Sequence, residues 1–247
     1  MRGDILKKKL MVLCAVAIMI STCLTGCKMN SGKIRFGSAG IGGTYQIFGD
    51  TFANLISSKS KKYNIEVKTT AGSAANLRLL SKDYIQMAVA QMDLINDAYN
   101  RTGIFENDKK YQGYRAVASL YTEACQIVVP ADSDIQSMDD LEGKKVCIGE
   151  EESGTEQNAL QILNAYGLNE RLVDTVNLNY TDAAKKLKSG DIDAFFCTAG
   201  VQTTVINELS KQCKIRLVSL DQKGVSRLKK SYKFYTEYTI PAGTYVN

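Results

Sequence analysis

Four short stretches of this chain carry the residue types that bind small polar molecules. The first, Gly37-Ser38-Ala39-Gly40-Ile41-Gly42-Gly43-Thr44-Tyr45, joins an apolar run to an amphipathic one. Glycines let a backbone approach a ligand closely, and the free N–H groups of the helix that follows favour an anion. The second, Thr70-Ala71-Gly72-Ser73-Ala74-Ala75-Asn76, repeats the Gly-Ser turn ahead of a helix. In the third, Ala90-Gln91-Met92-Asp93, an amide and a carboxylate come directly after a buried strand. The fourth, Glu152-Ser153-Gly154-Thr155-Glu156, sets hydroxyls and backbone N–H groups at a helix start, where they suit a carboxylate. Taken singly, each stretch reads equally well as a helix cap, because Ser and Thr are favoured there. Four of them at the same point of successive strand–helix units point to one ligand site.

Other chemistries lack their residues. The chain contains no His, which removes Ser-His-Asp and Cys-His catalysis and every metal site built on imidazole. The commonest general acid–base side chain is therefore absent, and no catalytic residue, metal site or cofactor is expected. Ser58-Lys59-Ser60-Lys61 fits a Ser-x-x-Lys hydrolase pattern, but it lies at a polar, Lys-rich helix end that reads as solvated surface. The glycines at 37–43 lack the Gly-x-Gly-x-x-Gly spacing, and no Gly-Lys-Ser/Thr comes after them, so a nucleotide is not indicated.

The first residues set the compartment. Arg2, Lys7, Lys8 and Lys9 precede an apolar run from Leu10 to Leu24. That run is too short to span a bilayer, which takes about 20 apolar residues, and it reads as an export signal. It ends in Leu24-Thr25-Gly26-Cys27, which resembles the lipobox of bacterial lipoproteins. Residues 1–27 are thus expected to be a signal peptide, Cys27 the lipidated first residue of the mature chain, and 28–32 a polar tether. The chain has 31 Lys and Arg against 26 Asp and Glu, and the leader takes four of the former and one of the latter. The mature part is close to neutral, and nucleic acid is not an expected partner. Cys125, Cys147, Cys197 and Cys213 lie in or beside apolar runs. They fit buried free thiols, while disulfides in an exported protein stay open.

The elements that must position the loops alternate. Strands are expected at 34–38, 65–70, 87–90, 146–149, 173–178, 192–197 and 215–220, with helices at 44–56, 73–80, 93–99, 155–166, 182–187 and 201–209 between them. This rhythm argues for an α/β chain of mostly parallel sheets. The run Arg115 to Pro130 is expected to be one long strand crossing between two halves. Residues 33–126 would form domain one, 127–220 domain two, and 221–247 a return towards domain one. Ligand sites in such sheets lie off the carboxyl ends of the strands.

The chain resembles the TAXI family, solute-binding subunits of one branch of tripartite ATP-independent periplasmic (TRAP) transporters. The resemblance rests on Gly42-Gly43-Thr44-Tyr45, Thr70 through Leu80, Ala118-Ser119-Leu120-Tyr121, Leu141 through Val146, Ser153-Gly154-Thr155-Glu156, Asp191 through Gly200 and Ile240-Pro241-Ala242-Gly243-Thr244-Tyr245. It implies a two-domain periplasmic-binding-protein type II clamshell that captures a small carboxylate solute, glutamate or a related amino acid or organic acid, for a membrane permease. The implied ligand-binding residues are Gly42, Gly43, Thr44, Tyr45, Gly72, Ser73, Asn76, Gln91, Asp93, Ser153, Gly154, Thr155, Thr198, Ala199 and Gly200. The expected partners are an anionic or zwitterionic solute, TRAP permease subunits and, through the lipid anchor, the cell membrane from its outer side. In the family a further segment comes after Tyr245, so the return towards domain one is expected to be incomplete, with the C-terminal part of the fold missing. A sensory lipoprotein using the same clamshell without a permease is the alternative.

Overall fold

The structure is a computed structural model that describes residues 33–109 and 111–246. The signal peptide, Cys27 and the tether lie outside those residues. Ile34–Asn247 makes up one compact unit.

The first sheet has the order β2-β1-β3 and is made of β1 (Lys33–Gly37), β2 (Asn64–Lys68) and β3 (Met87–Ala88). Strand β1 runs parallel to β3, pairing Phe36 with Met87 and Gly37 with Ala88. Between these strands lie α1 (Thr44–Lys59) and α2 (Ser73–Ser81), and α3 (Met92–Asn100) comes after β3. Helix α1 packs on the sheet through Phe48 and Phe52, whose rings stand 6.1 and 5.9 Å from that of Phe36. Leu77 of α2 and Leu94 and Ala98 of α3 share a second small core with Phe105.

The second sheet is larger, with order β6-β5-β7-β4-β8. Its strands are β4 (Ala124–Pro130), β5 (Lys145–Cys147), β6 (Asp174–Val176), β7 (Ala194–Ala199) and β8 (Ile215–Leu217). Helices α4 (Gly154–Ala165), α5 (Tyr180–Ser189), α6 (Thr204–Gln212) and α7 (Gln222–Ser231) cover it. Apolar side chains fill both faces. Ile127 and Val129 of β4 and Phe196 of β7 point into one core, while Val128 and Phe195 point into the other. That alternation is what a strand buried on both faces requires. Gly143, Gly167 and Gly190 close their helical segments with positive φ.

The strand pairings are mostly parallel, with β4 alone running antiparallel, to both β7 and β8. Two expectations are corrected. The long crossing strand begins only at Ala124. Residues 115–120 are exposed and have no regular structure, since no neighbouring strand is there to take their backbone hydrogen bonds. The segment 221–246 does not return to the first sheet as a strand. It opens with α7, and its tyrosines are held on the five-stranded side. Tyr235 bonds Asn158 and Gln161 of α4, and Tyr245 bonds Gln126 of β4.

Cys125, Cys147, Cys197 and Cys213 are all free thiols. Cys125 pairs with Thr198 and Gln126 with Cys197, so Cys125 and Cys197 face opposite sides of the sheet and cannot join. Among the described residues no helix is long and apolar enough to cross a membrane.

Candidate ligand-binding site

Loops from the two sheets meet around one cavity. From the first sheet come Gly43, Thr44 and Tyr45 after β1, Gly72 and Ser73 after β2, and Gln91 after β3. From the second come Glu150, Ser153, Gly154 and Thr155 after β5, Tyr180 after β6, and Thr198 and Ala199 at the end of β7. Every one of these stands at the carboxyl end of a strand, where α/β sheets place their ligands. Glu123, just before β4, closes the wall.

Three helices begin at this cavity. Helices α1 and α2 start at Gly43 and Gly72 without a side-chain cap, so no side chain of their own covers their first-turn N–H groups, although that of Ala75 is taken by Glu152 C=O. Helix α4 is capped by Ser153, whose hydroxyl accepts from Glu156 N–H at 3.0 Å. Thr155 is 4% exposed; it hydrogen-bonds the Tyr180 hydroxyl and accepts from Thr198 N–H at 3.4 Å. The Tyr180 hydroxyl donates to Thr198 C=O at 2.9 Å. These bonds fix the Thr155 and Tyr180 hydroxyls of α4 and α5 against the backbone of β7.

The electrostatics have a clear sign. The lining contains Glu123 and Glu150 but neither Lys nor Arg. Burial pushes the Glu123 carboxyl up to about 7, and Asp93 adds to the rise, against lowering by hydrogen bonds from Tyr45 and Gln91. The Tyr45 hydroxyl donates to Glu123 Oε2 at 2.9 Å, and Tyr45 itself titrates well above its ordinary range because it is buried beside that carboxylate. Burial also raises Glu150 and Asp93. Two buried polar atoms of the lining, Gln91 Oε1 and Thr198 Oγ1, have no partner, which is costly unless something else supplies it.

The two sides touch across the cavity. Ala75 N–H donates to Glu152 C=O at 3.2 Å, Gln91 Nε2 to Asn158 Oδ1 at 3.1 Å, and Thr181 Oγ1 to Ile41 C=O at 3.2 Å. Arg78 reaches Glu152 at 3.0 Å. Glycine makes the approach possible. A Cβ on Gly154 would collide with the Gln91 side chain, and Gly72 stands at φ +128° with Ser153 directly opposite. About 40 Å³ of free space remains inside. That is room for a few waters, since one needs about 10–15 Å³, and too little for a larger solute.

Of the residues expected from sequence, Gly43, Thr44, Tyr45, Gly72, Ser73, Gln91, Ser153, Gly154, Thr155, Thr198 and Ala199 line this cavity. Four do not. Asn76 is fully buried under the first sheet, its amide donating to Ser38 C=O at 2.7 Å and Val89 C=O at 2.8 Å. Asp93 turns to Asn158 and to Leu94 N–H, and lines a neighbouring cavity. Gly42 sits in the turn before α1 with positive φ, next to Thr181, and Gly200 packs beside Tyr121. Sequence reasoning missed Glu123, Glu150 and Tyr180. Glu123 lay inside the run read as a crossing strand, and its position just before an apolar strand was the one available signal.

The sequence matches the NMT1-like family over residues 36–247. The chain belongs to the NMT1-like family. Among solved structures it is similar to the alkanesulfonate-binding protein SsuA of Xanthomonas axonopodis pv. citri bound to MOPS, with TM-score 0.52 and 18% identity over 76% of this chain and 60% of that one. It is also similar to an ancestral arginine-binding protein bound to arginine, with TM-score 0.52 and 19% identity over 82% and 93%. A third neighbour is the binding protein component of an ABC phosphonate transporter from Pseudomonas aeruginosa, with TM-score 0.54 and 12% identity over 86% and 76%. At these identities the likeness shows the fold, the α/β periplasmic-binding-protein type II architecture that the sequence led us to expect. This NMT1-like chain spans about three fifths of the length of the alkanesulfonate-binding protein.

Proposed function

We propose that this NMT1-like chain captures a small carboxylate solute outside the cytoplasm and hands it to a membrane permease, without chemistry on the solute. One observation carries the reading: three helix N-termini and a patch of hydroxyls, drawn from both sheets, face one cavity with no Lys or Arg in its wall. Such an arrangement receives a carboxylate through N–H dipoles and neutral hydrogen bonds, and contains no nucleophile–base pair. The residues proposed to touch the solute are Gly43, Thr44, Tyr45, Gly72, Ser73, Gln91, Ser153, Gly154, Thr155, Thr198 and Ala199. The first and second sheets are proposed to mark two domains that close on the solute, with residues 115–123 as the joint.

The finer assignment is a TAXI-type subunit of a TRAP transporter, anchored by a lipid on Cys27. It is supported by the ordered motifs from Gly42 to Tyr245 and by the order of charge, apolar run and Cys in the leader. One of the three structural neighbours is the binding protein component of an ABC phosphonate transporter, so the type of permease is the point to test. A thermal-shift and calorimetry panel of amino acids, dicarboxylates, sulfonates and phosphonates on the full chain tests the ligand class. Capture of sulfonates or phosphonates but no carboxylate would refute it. Co-purification with a permease, and dependence of uptake on an ion gradient rather than ATP, tests the coupling.

A further inference from the structure

We propose that Glu123 is the counter-ion for an ammonium group of the solute, so that the cleft takes an amino-acid zwitterion and rejects the same molecule without its amine. This rests on the carboxylate-capture reading above and narrows it.

The cavity wall offers both donors and acceptors. The donors are the first-turn N–H groups of α1 and α2 other than that of Ala75, which Glu152 C=O takes. The acceptors are Glu123, Gln91 and Thr198. Tyr45 donates to Glu123 Oε2 and Gln91 also reaches the carboxylate, while a carboxylate has about four acceptor sites. Gln91 Oε1 is buried and accepts from nothing. Thr198, itself 9% exposed, leaves Oγ1 equally unpartnered. An ammonium carries three donors and no acceptor, so it matches this wall. A second carboxylate on the solute would face Glu123 with no cation in the lining to offset the repulsion.

The charged groups around Glu123 are acidic, and its other neighbours are neutral. Tyr45 reaches it from α1, Asp93 from the first turn of α3, and Tyr121 from its own segment. Tyr180 and Cys125 feel its charge from α5 and β4, and Glu150 stands in the same cavity wall. No basic group answers it there. Left alone, the carboxyl titrates at about 7 through burial. An ammonium beside it favours the ionised form, so binding below neutral pH should release a proton.

The test is calorimetry with the full chain in detergent, using amino acids paired with their des-amino partners: L-glutamate with glutarate, L-alanine with propionate, L-arginine with 5-guanidinovalerate. At pH 7.5 we expect at least one amino acid to bind and its partner to be 30-fold weaker or worse. Glu123→Gln should cost that amino acid at least 30-fold while leaving the des-amino partner unchanged or improved. Titrations of the wild-type chain at pH 6 in buffers of different ionisation enthalpy should show proton release with the amino acid and none with its partner, a readout that needs no variant. A des-amino acid binding as tightly as its amino acid, or proton uptake on binding, would overturn the proposal while leaving carboxylate capture intact. Absence of binding by every carboxylate in the panel would remove the carboxylate reading and this inference together.

Discussion

Glu123→Gln also makes a measurable statement about the unliganded fold. The Glu123 carboxyl titrates at about 7 in the folded chain against an ordinary 4.5. A carboxyl whose folded value is raised binds more protons folded than unfolded across that window. Its contribution to stability is therefore fully present below about pH 4.5 and is lost as the pH rises through 7. The gap corresponds to about 3 kcal/mol if the carboxyl is fully shielded, and to about 2 kcal/mol with partial solvent access. Glutamine keeps the shape and cannot ionise, so the variant should match the wild type near pH 5 and exceed it at pH 8 by about 2 kcal/mol. For a chain of this size that is a melting-temperature difference of roughly 4–8 °C. Asp93 and Glu150 are raised by burial too and bend both curves in the same direction, so the difference between the two proteins is the quantity to read. Melting curves by circular dichroism at half-unit pH steps, without ligand, supply it. Parallel curves for the two proteins from pH 5 to 8 would show that Glu123 is solvated and that the polarity assigned to the cleft is wrong.

Three further outcomes are expected. Ser153→Ala with Thr155→Val removes the α4 cap and a buried hydroxyl link to Tyr180; it should cost about 2 kcal/mol of stability and at least tenfold in solute affinity of the folded fraction, measured by calorimetry. An unchanged affinity would reduce both residues to structural caps. Asn76→Leu should cost about 1–3 kcal/mol in chemical denaturation, because Ser38 and Val89 lose a buried donor, with affinity unaltered; a selective loss of affinity would return Asn76 to the ligand. Cys27→Ser should release the protein from the membrane or leave an unprocessed precursor in fractionation, and normal retention would end the lipid-anchor proposal.

The repeating strand–helix rhythm was legible because buried parallel strands and amphipathic helices have different periods, and glycines such as Gly143, Gly167 and Gly190 mark where helices stop. The loops after β1, β2, β3 and β5 were legible for a related reason: close backbone approach needs glycine, and helix starts need hydroxyls. What escaped depends on long-range pairing. The apolar stretch before Pro130 has strand composition throughout, yet only Ala124–Pro130 finds partners, and partner strands are not visible in local composition. Helix α7 was missed because it is strongly polar, with only Gly224 and Leu228 buried. Glu123 was missed because its meaning comes from Tyr45, Gln91 and Asp93, which lie 30 or more positions earlier in the chain. Asn76 was the reverse error. A polar residue at a helix start near a glycine looked like a ligand contact, and it instead satisfies the carbonyls at the ends of β1 and β3.

The placement of β4 governs the order in which this molecule can be assembled. The strand ends at Pro130, but it is sandwiched between β7 and β8, which begin at Ala194 and Ile215. Everything between, β5, α4, β6 and α5, consists of neighbouring units able to pair as soon as they are made. Strand β4 must wait, because its hydrogen-bond partners on both edges come last, and closing so long a loop carries an entropic cost that only those contacts offset. It is also the strand that fastens the first sheet to the second. Insertion of β4 therefore finishes the larger sheet and brings Glu123 into the cavity wall in one event. A chain arrested before that event possesses most of its helices and two of its small cores, and lacks the proposed site.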